Sequence, residues 1–324
     1  MRMKMNDEFK KLKQKLDEVK DICLVSHIHP DGDSIGSLLG FGLALENINK
    51  KITMIKVDDI PYKYKFLPQV SKLKNYEENK KFDLLIVLDC SDLDRLGSFK
   101  HITENARYIV NIDHHISNTN YGDINIVDHK AAATGELVYN ILDYLNMNIN
   151  KEIATCLYVA IATDTGSFRY DNTHSRTHYI VSKLLEKQID LKKVTFEVFQ
   201  NKTLASTKLF IEALNTLELY YDNRLAVVQV TQQMLKKNNA EFNDIDGIVE
   251  YIRDIDTVEV ACILKEIKED EIKIGLRSKT YVDVANIAKV FQGGGHIRAS
   301  GCTIYNNISK AKELIIREIG LNLR

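Results

Sequence analysis

Residues 21–37, DICLVSHIHPDGDSIGS, set four apolar side chains in a row, Ile22 to Val25, just ahead of His27, His29, Asp31 and Asp33. A short apolar run rich in branched residues predicts a strand buried on both faces, as in a parallel sheet covered by other layers. Polar chemistry directly behind it sits where ligands of open α/β sheets bind, beyond the carboxyl ends of the strands. The residues that follow, SIGSLLGFGLALENI (34–48), carry apolar side chains at helical spacing. A strand, a polar tip and a helix in that order set the expectation for the N-terminal half.

Three more runs repeat the strand signal: KITMIKVD (51–58), FDLLIVLDC (82–90) and YIVNIDHH (108–115). The expected fold class is α/β, with an N-terminal, mainly parallel sheet flanked by helices. From ATGELVYNILDYLNM (133–147) to about residue 218 the pattern reads as helical. It then changes: RLAVVQVT (224–231), VEVACILKEI (258–267) and DEIKIGLRSK (270–279) read as strands, the last two joined as a hairpin. VDVANIAKVF (282–291) reads as a helix, CTIYN (302–306) as a strand and AKELIIREI (311–319) as a closing helix. The expected division is a first domain over 1–190, a helical linker over 191–215 and a smaller C-terminal α/β domain with a mixed sheet over 216–324.

A chain of 324 residues is long enough for two such domains. With 44% apolar and 27% charged residues it has the balance of a soluble globular protein. A formal net charge of −1 excludes nucleic-acid binding by a global basic field, so an anionic ligand must be captured locally. Five scattered cysteines without a C-x-x-C pair argue against a zinc ribbon or a disulfide framework and fit a reducing compartment. The first twenty residues, MRMKMNDEFKKLKQKLDEVK, read as an amphipathic helix and not as a signal peptide. No stretch approaches the roughly 18 apolar residues of a membrane span. A cytoplasmic protein is expected.

The polar strand ends carry the chemistry. His27, Asp31 and Asp33 follow the first strand, Asp89 ends the third, and Asp113, His114 and His115 end the fourth. Asp164, in AIATDTGSF (160–168), closes an apolar helical run. Taken singly, an aspartate at a strand end is a cap or turn residue and a lone histidine a surface or core residue. Brought together, these carboxylates would raise one another's pKa and strain the fold unless compensated. Two divalent cations would neutralise four aspartates charge for charge. Mixed oxygen and imidazole ligands suit Mn²⁺ best, with Mg²⁺, Co²⁺ or Zn²⁺ as alternatives. Such a pair can clamp the attacking and leaving oxygens of a phosphoryl displacement.

At these residues the sequence resembles the DHH phosphoesterase superfamily. The motif H-x-x-x-D-x-D followed by x-x-G-S stands as His27, Asp31, Asp33, Gly36 and Ser37; the second is LDCSDLDRLG (88–97), the third Asp113-His114-His115, the fourth TDTGSFRY (163–170). GGGHIRASG (293–301) resembles the glycine-histidine motif of the DHHA1 domain that follows the catalytic domain in many members. The resemblance implies that His27 and Asp31 hold one metal, that Asp33, His114 and Asp164 hold the other, and that Asp89 bridges them. It also implies that His115 faces the substrate phosphate and that Asp113 orients its neighbours. His29 departs from the pattern, as relatives more often carry asparagine there, so it either stays outside the metal ligands or competes with them.

A glycine run alone reads as a tight turn. Behind a phosphate-type metal site, Gly294 and Gly295 in QGGGHIRASG are expected to form an anion-binding nest, with His296 and Arg298 as donors. Arg277, Ser278 and Arg169 are further expected substrate contacts. Compact members with this domain pair resemble the nanoRNase/pAp-phosphatase group. That resemblance implies hydrolysis of short single-stranded oligoribonucleotides to mononucleotides and of 3′-phosphoadenosine 5′-phosphate to AMP, by a hydroxide held between two ions, with the C-terminal domain closing over the substrate. The competing readings are a cyclic-dinucleotide or pApA phosphodiesterase, an inorganic pyrophosphatase and a non-catalytic nucleotide sensor. A homodimer is left open.

Overall fold

The computed structural model describes residues 2–48 and 50–323. The chain divides into two compact units, residues 1–201 and 202–324. The first unit runs α1 (Arg2–Glu18), β1 (Asp21–Ser26), α2 (Gly32–Glu46), β2 (Lys51–Met54), β3 (Phe82–Leu88), β4 (Ala106–Asp113), β5 (Ile124–Val127), α3 (Thr134–Tyr144), α4 (Lys151–Asp164), α5 (Ser175–Leu185) and α6 (Leu191–Thr195). Its five strands are all parallel, in the order β2-β1-β3-β4-β5. The α/β architecture expected from the alternating pattern is therefore what forms.

The strand order reverses direction at β1 and β3, and open sheets of this order place their ligand at that switch point. The register sharpens this. Ser26 lies beside Leu88, and Leu88 beside Ile112, so the next residues, His27, Asp89 and Asp113, leave the sheet at one level. The strands are held by burial on both faces. Ile22 and Leu24 join the core formed with α1–α5, while Cys23 and Val25 face a second cluster with Val57, Leu96 and Ile102.

Helix α2 is set close against α4 by glycines four residues apart. A methyl group at Gly36 would lie 2.4 Å from the Cys156 carbonyl oxygen, and one at Gly40 2.7 Å from the Leu157 side chain. This contact fixes the start of α2, with Asp31 and Asp33, relative to the end of α4, with Asp164. Gly36→Ala is expected to destabilise the protein by about 1–3 kcal/mol through overpacking, in spite of alanine's better helix propensity; thermal unfolding measures it.

The second unit holds α7 (Leu204–Leu214), β6 (Glu218–Tyr220), β7 (Leu225–Val230), α8 (Gln232–Asn238), α9 (Ile248–Arg253), β8 (Val260–Lys268), β9 (Glu271–Ser278), α10 (Val284–Val290), β10 (Gly294–His296), β11 (Ala299–Ile304) and α11 (Ile308–Gly320). The sheet order is β10-β11-β9-β8-β7-β6, with β7 and β8 parallel and the other pairs antiparallel. One face packs on α10 and α11, and the β7–β8 part of the other on α7–α9.

Two expectations change here. The helical pattern read to about residue 218 stops earlier, as α7 ends at Leu214, and Glu218–Tyr220 is an edge strand in which Leu219 pairs with Ala226. The glycine run is a strand as well. Gly294, Gly295 and His296 pair antiparallel with Gly301, Ser300 and Ala299. Successive N–H groups in such a ladder point to opposite sides, so they do not converge into a nest. The glycines answer to closeness: a methyl group at Gly293 would lie 2.2 Å from the Gly301 carbonyl oxygen, and Gly295 has φ +141°.

The loop behind β9 is tied down by buried Glu259. Its carboxylate accepts from the backbone N–H of Thr280 (3.1 Å), Tyr281 (2.8 Å) and Val282 (2.9 Å). Burial pulls its pKa up, but these donors prevail and hold it below the ordinary carboxylate value. A depressed carboxylate stabilises the fold above its unfolded value, and that stability is lost as pH falls through the native value. Glu259→Gln is expected to lower stability at pH 7, with the deficit against wild type narrowing on acidification below the carboxylate range, as read by denaturant titration.

Candidate metal centre

The tips of β1, β3 and β4 and the ends of α2 and α4 deliver six predicted residues into one group, with His27, Asp33, Asp89 and His114 buried and Asp31 at its exposed edge. His27 Nε2 lies 3.3 Å from Asp89 Oδ2 and 3.8 Å from Asp31 Oδ2. His114 Nε2 lies 3.4 Å from Asp164, 3.7 Å from Asp89 and 3.8 Å from Asp33. Asp89 stands at the centre. Ligand-type atoms of His27, Asp31 and Asp89 cluster within 4.8 Å, and so do those of Asp33, Asp89 and His114. Two adjoining groups thus share one carboxylate.

Each imidazole is oriented from behind. His27 Nδ1 lies 2.7 Å from the Ile28 carbonyl and His114 Nδ1 3.2 Å from the Ala131 carbonyl. A carbonyl only accepts, so both Nδ1 atoms carry a proton and both Nε2 atoms face the carboxylates, the usual orientation of a metal-binding histidine. His27 Nε2 is buried and has no hydrogen-bond partner among the described residues. Such an orphan costs free energy unless something binds it. The donor set of paired carboxylates and inward imidazoles fits divalent cations.

Helix starts carry part of the negative charge. Asp31 caps α2, accepting from the Ser34 N–H at 2.9 Å. Asp33, in the first turn, accepts from Ser37 Oγ (2.8 Å) and from the N–H groups of Thr134 (2.6 Å) and Gly135 (2.9 Å), where α3 begins. Even so, burial and then the charge of Asp89 push the Asp33 pKa well up. Burial raises Asp164 to about 6, with Asp89 and Asp31 adding to it. Burial works against charge on Asp89 too, but the surrounding imidazoles of His27, His115 and His114 hold it well below the usual carboxylate range. Asp89 has φ +56°, a strained conformation for a residue with a side chain.

Asp113 and His115 form a pair beside Asp89, whose Oδ1 lies 3.6 Å from His115 Nδ1. Asp113 accepts from His115 Nδ1 at 2.7 Å and from Asn118. His115 Nε2 is left to accept from Arg95 Nη1 at 3.1 Å. His29 points away: its backbone N–H and Nδ1 each lie 3.2 Å from Asp58 Oδ2, and its side chain is exposed. Arg169 is spent on the Gly166 carbonyl at 2.8 Å. In the second unit Arg277 pairs with Glu250 at 3.0 Å and Arg298 donates to the Val282 carbonyl at 2.9 Å, with Ser278 Oγ 3.4 Å from its guanidinium and His296 on β10. Sequence reading missed Arg95, which follows Asp89 in the same motif, and Thr134, whose Oγ1 donates to Asp89 at 3.0 Å. The ATGE stretch before an apolar helix was the available signal for the latter.

The model of the DHH family's N-terminal domain matches residues 21–161, and that of the DHHA1 domain residues 222–320. Over 300 residues the chain is 30% identical to the bifunctional oligoribonuclease and PAP phosphatase NrnA of Thermus thermophilus, covering 92% of this chain and 89% of the relative. An exopolyphosphatase-related protein of Bacteroides fragilis shares the fold at TM-score 0.91 and 27% identity, covering 97% of this chain and 96% of that one. RecJ of Thermus thermophilus, solved in complex with Mn²⁺, is similar in fold alone, at TM-score 0.53 and 11% identity over 97% of this chain and 54% of RecJ.

Addition of Mn²⁺ at a hundred times its dissociation constant is expected to stabilise the metal-free protein by about 2.7 kcal/mol, read as a rise in Tm. In Asp89→Asn, which weakens both groups at once, the rise should vanish.

Proposed function

The chain belongs to the DHH family, with a DHHA1 domain in its second unit, and is a phosphoesterase acting on nucleotides; we propose that it hydrolyses short oligoribonucleotides to mononucleotides and 3′-phosphoadenosine 5′-phosphate to AMP. The observation that carries this reading is the orphaned His27 Nε2 inside a carboxylate cluster at the sheet's switch point. In this reading His27 and Asp31 hold one divalent ion, Asp33, His114 and Asp164 a second, and Asp89 both, with Mn²⁺ the favoured metal. When bound, the ions supply an activated water and positive charge for the phosphoryl oxygens.

The remaining roles belong to side chains. Asp113 takes the Nδ1 proton of His115 in a hydrogen bond and so fixes the tautomer that turns Nε2 towards Arg95. The Arg95 guanidinium and the His115 ring together face the non-bridging phosphoryl oxygens, where negative charge must be held as the ester bond breaks. Thr134 keeps Asp89 in its strained conformation. In the DHHA1 domain, Gly294, Gly295 and His296 on β10, with Arg277, Ser278 and Arg298, bind the nucleotide. Fragments of this kind arise in the cytoplasm, and five buried cysteines without a disulfide accord with that reducing compartment. Among the described residues no helix is long and apolar enough to cross a membrane.

Purified protein with Mn²⁺ is expected to release AMP from pApA and from pAp, and to leave pyrophosphate and cyclic di-AMP largely intact; phosphate from pyrophosphate alone would overturn the reading. Asp89→Ala should abolish turnover, whereas Asp113→Asn, acting one step removed, should cost about 10–100-fold.

A further inference from the structure

The sheet face of the second unit that carries β10 also carries a feature the catalytic reading does not use. Registers place Gly275, Gly301 and Gly294 side by side on three adjacent strands. Two residues to one side lies the row Lys265, Lys273 and Thr303; two residues to the other, the row Arg277, Ala299 and His296. Side chains alternate along a strand, so all three rows share one face. The result is a trough with a bare backbone floor, its banks about 13 Å apart at four residues of strand rise. A side chain at Gly294 would stand in open space, so packing does not demand that glycine; an open floor does.

The lysine bank is costly to keep. Lys265 and Lys273 are directly opposed on neighbouring antiparallel strands, an arrangement that repels. Neither side chain makes an ion pair or hydrogen bond among the described residues; of the carboxylates near Lys265, Asp246 acts on it without an ion pair and Glu250 is taken by Arg277. Burial lowers the Lys265 pKa, and the charges of Arg277 and Lys273 add to that against the opposing pull of Asp246 and Glu250. Both lysines, with Gly301 and Thr303, line a cavity of roughly 710 Å³ that Tyr305 also borders and no carboxylate lines; its far wall, with Phe291, belongs to the opposite face of the sheet. That volume lies in the range of small-ligand sites, and cations beside aromatic rings are the means by which single-stranded nucleotides are held.

Resting on the nucleotide-hydrolase reading, we infer that Lys265, Lys273 and Thr303 form a second phosphate site, so that the trough grips one nucleoside phosphorylated at both its 3′ and 5′ positions, free or within a strand. The site distinguishes such a ligand from a singly phosphorylated one, favouring substrate over the AMP product.

The test is equilibrium binding of AMP and of pAp to the full-length protein in chelator, which prevents hydrolysis, across a range of salt. Lys265→Gln/Lys273→Gln is expected to weaken pAp about tenfold, to leave AMP within twofold, and to reduce the slope of log affinity against log salt for pAp. Relief of repulsion should leave its Tm no lower than wild type; Lys273→Gln alone, at the exposed position, gives the same test with a smaller loss. Unchanged pAp affinity and slope, equal losses for AMP and pAp, or no pAp binding by the wild type would each overturn the inference. The hydrolysis reading fails separately, on absence of nucleotide turnover with Mn²⁺.

Discussion

Four carboxylates share one small volume at the carboxyl edge of the first unit's sheet, and their mutual repulsion is the constraint around which that unit is organised. Two of them, Asp33 and Asp89, are almost wholly buried. The fold meets part of the cost with fixed dipoles: the first turn of α3 aims two N–H groups at Asp33, the Ser37 hydroxyl of α2 adds a third donor, and the first turn of α2 gives an N–H to Asp31, as helix starts favour negative charge. Imidazoles meet another part, held by backbone carbonyls so that Nε2 faces inward, where the neighbouring aspartates favour its protonated form against burial. What the protein does not supply is positive charge equal to the negative, and this is the room left for cations.

The same logic explains why the scaffold is stiff. Parallel register brings three strand tips to one level, and the glycine-lined α2–α4 contact fixes the two helices that bring the remaining acids. A displacement of α4 by one side-chain layer would draw Asp164 away from His114, and one of α2 would draw Asp33 away from the N–H groups of Thr134 and Gly135, leaving carboxylate charge unmatched. The strained backbone at Asp89 fits the same picture, since that residue alone belongs to both ligand groups.

Much of this was legible in the sequence because the signals were strong and local. Apolar runs of three or more residues gave β1, β3 and β4, and the polar residues at their ends gave His27, Asp89, Asp113 and His114. Short elements were not legible: β5 and β6 have four and three residues, too few to show a period. The glycine run misled for a physical reason. Three glycines signal permissive backbone, but whether that serves a nest or close strand packing depends on Gly301, eight positions beyond Gly293 and visible only in the fold. Arg95 and Thr134 escaped because each acts on a cluster residue that is remote in sequence or on another element. Sequence shows which groups are chemical; only packing shows which hold the others in place.

The most direct test of the account is anomalous X-ray scattering from crystals grown with Mn²⁺. The account predicts two strong peaks about 3.5–4 Å apart, one beside His27 and Asp31, the other beside Asp33, His114 and Asp164, with Asp89 touching both. No peak among these side chains, or peaks elsewhere on the chain, would contradict it.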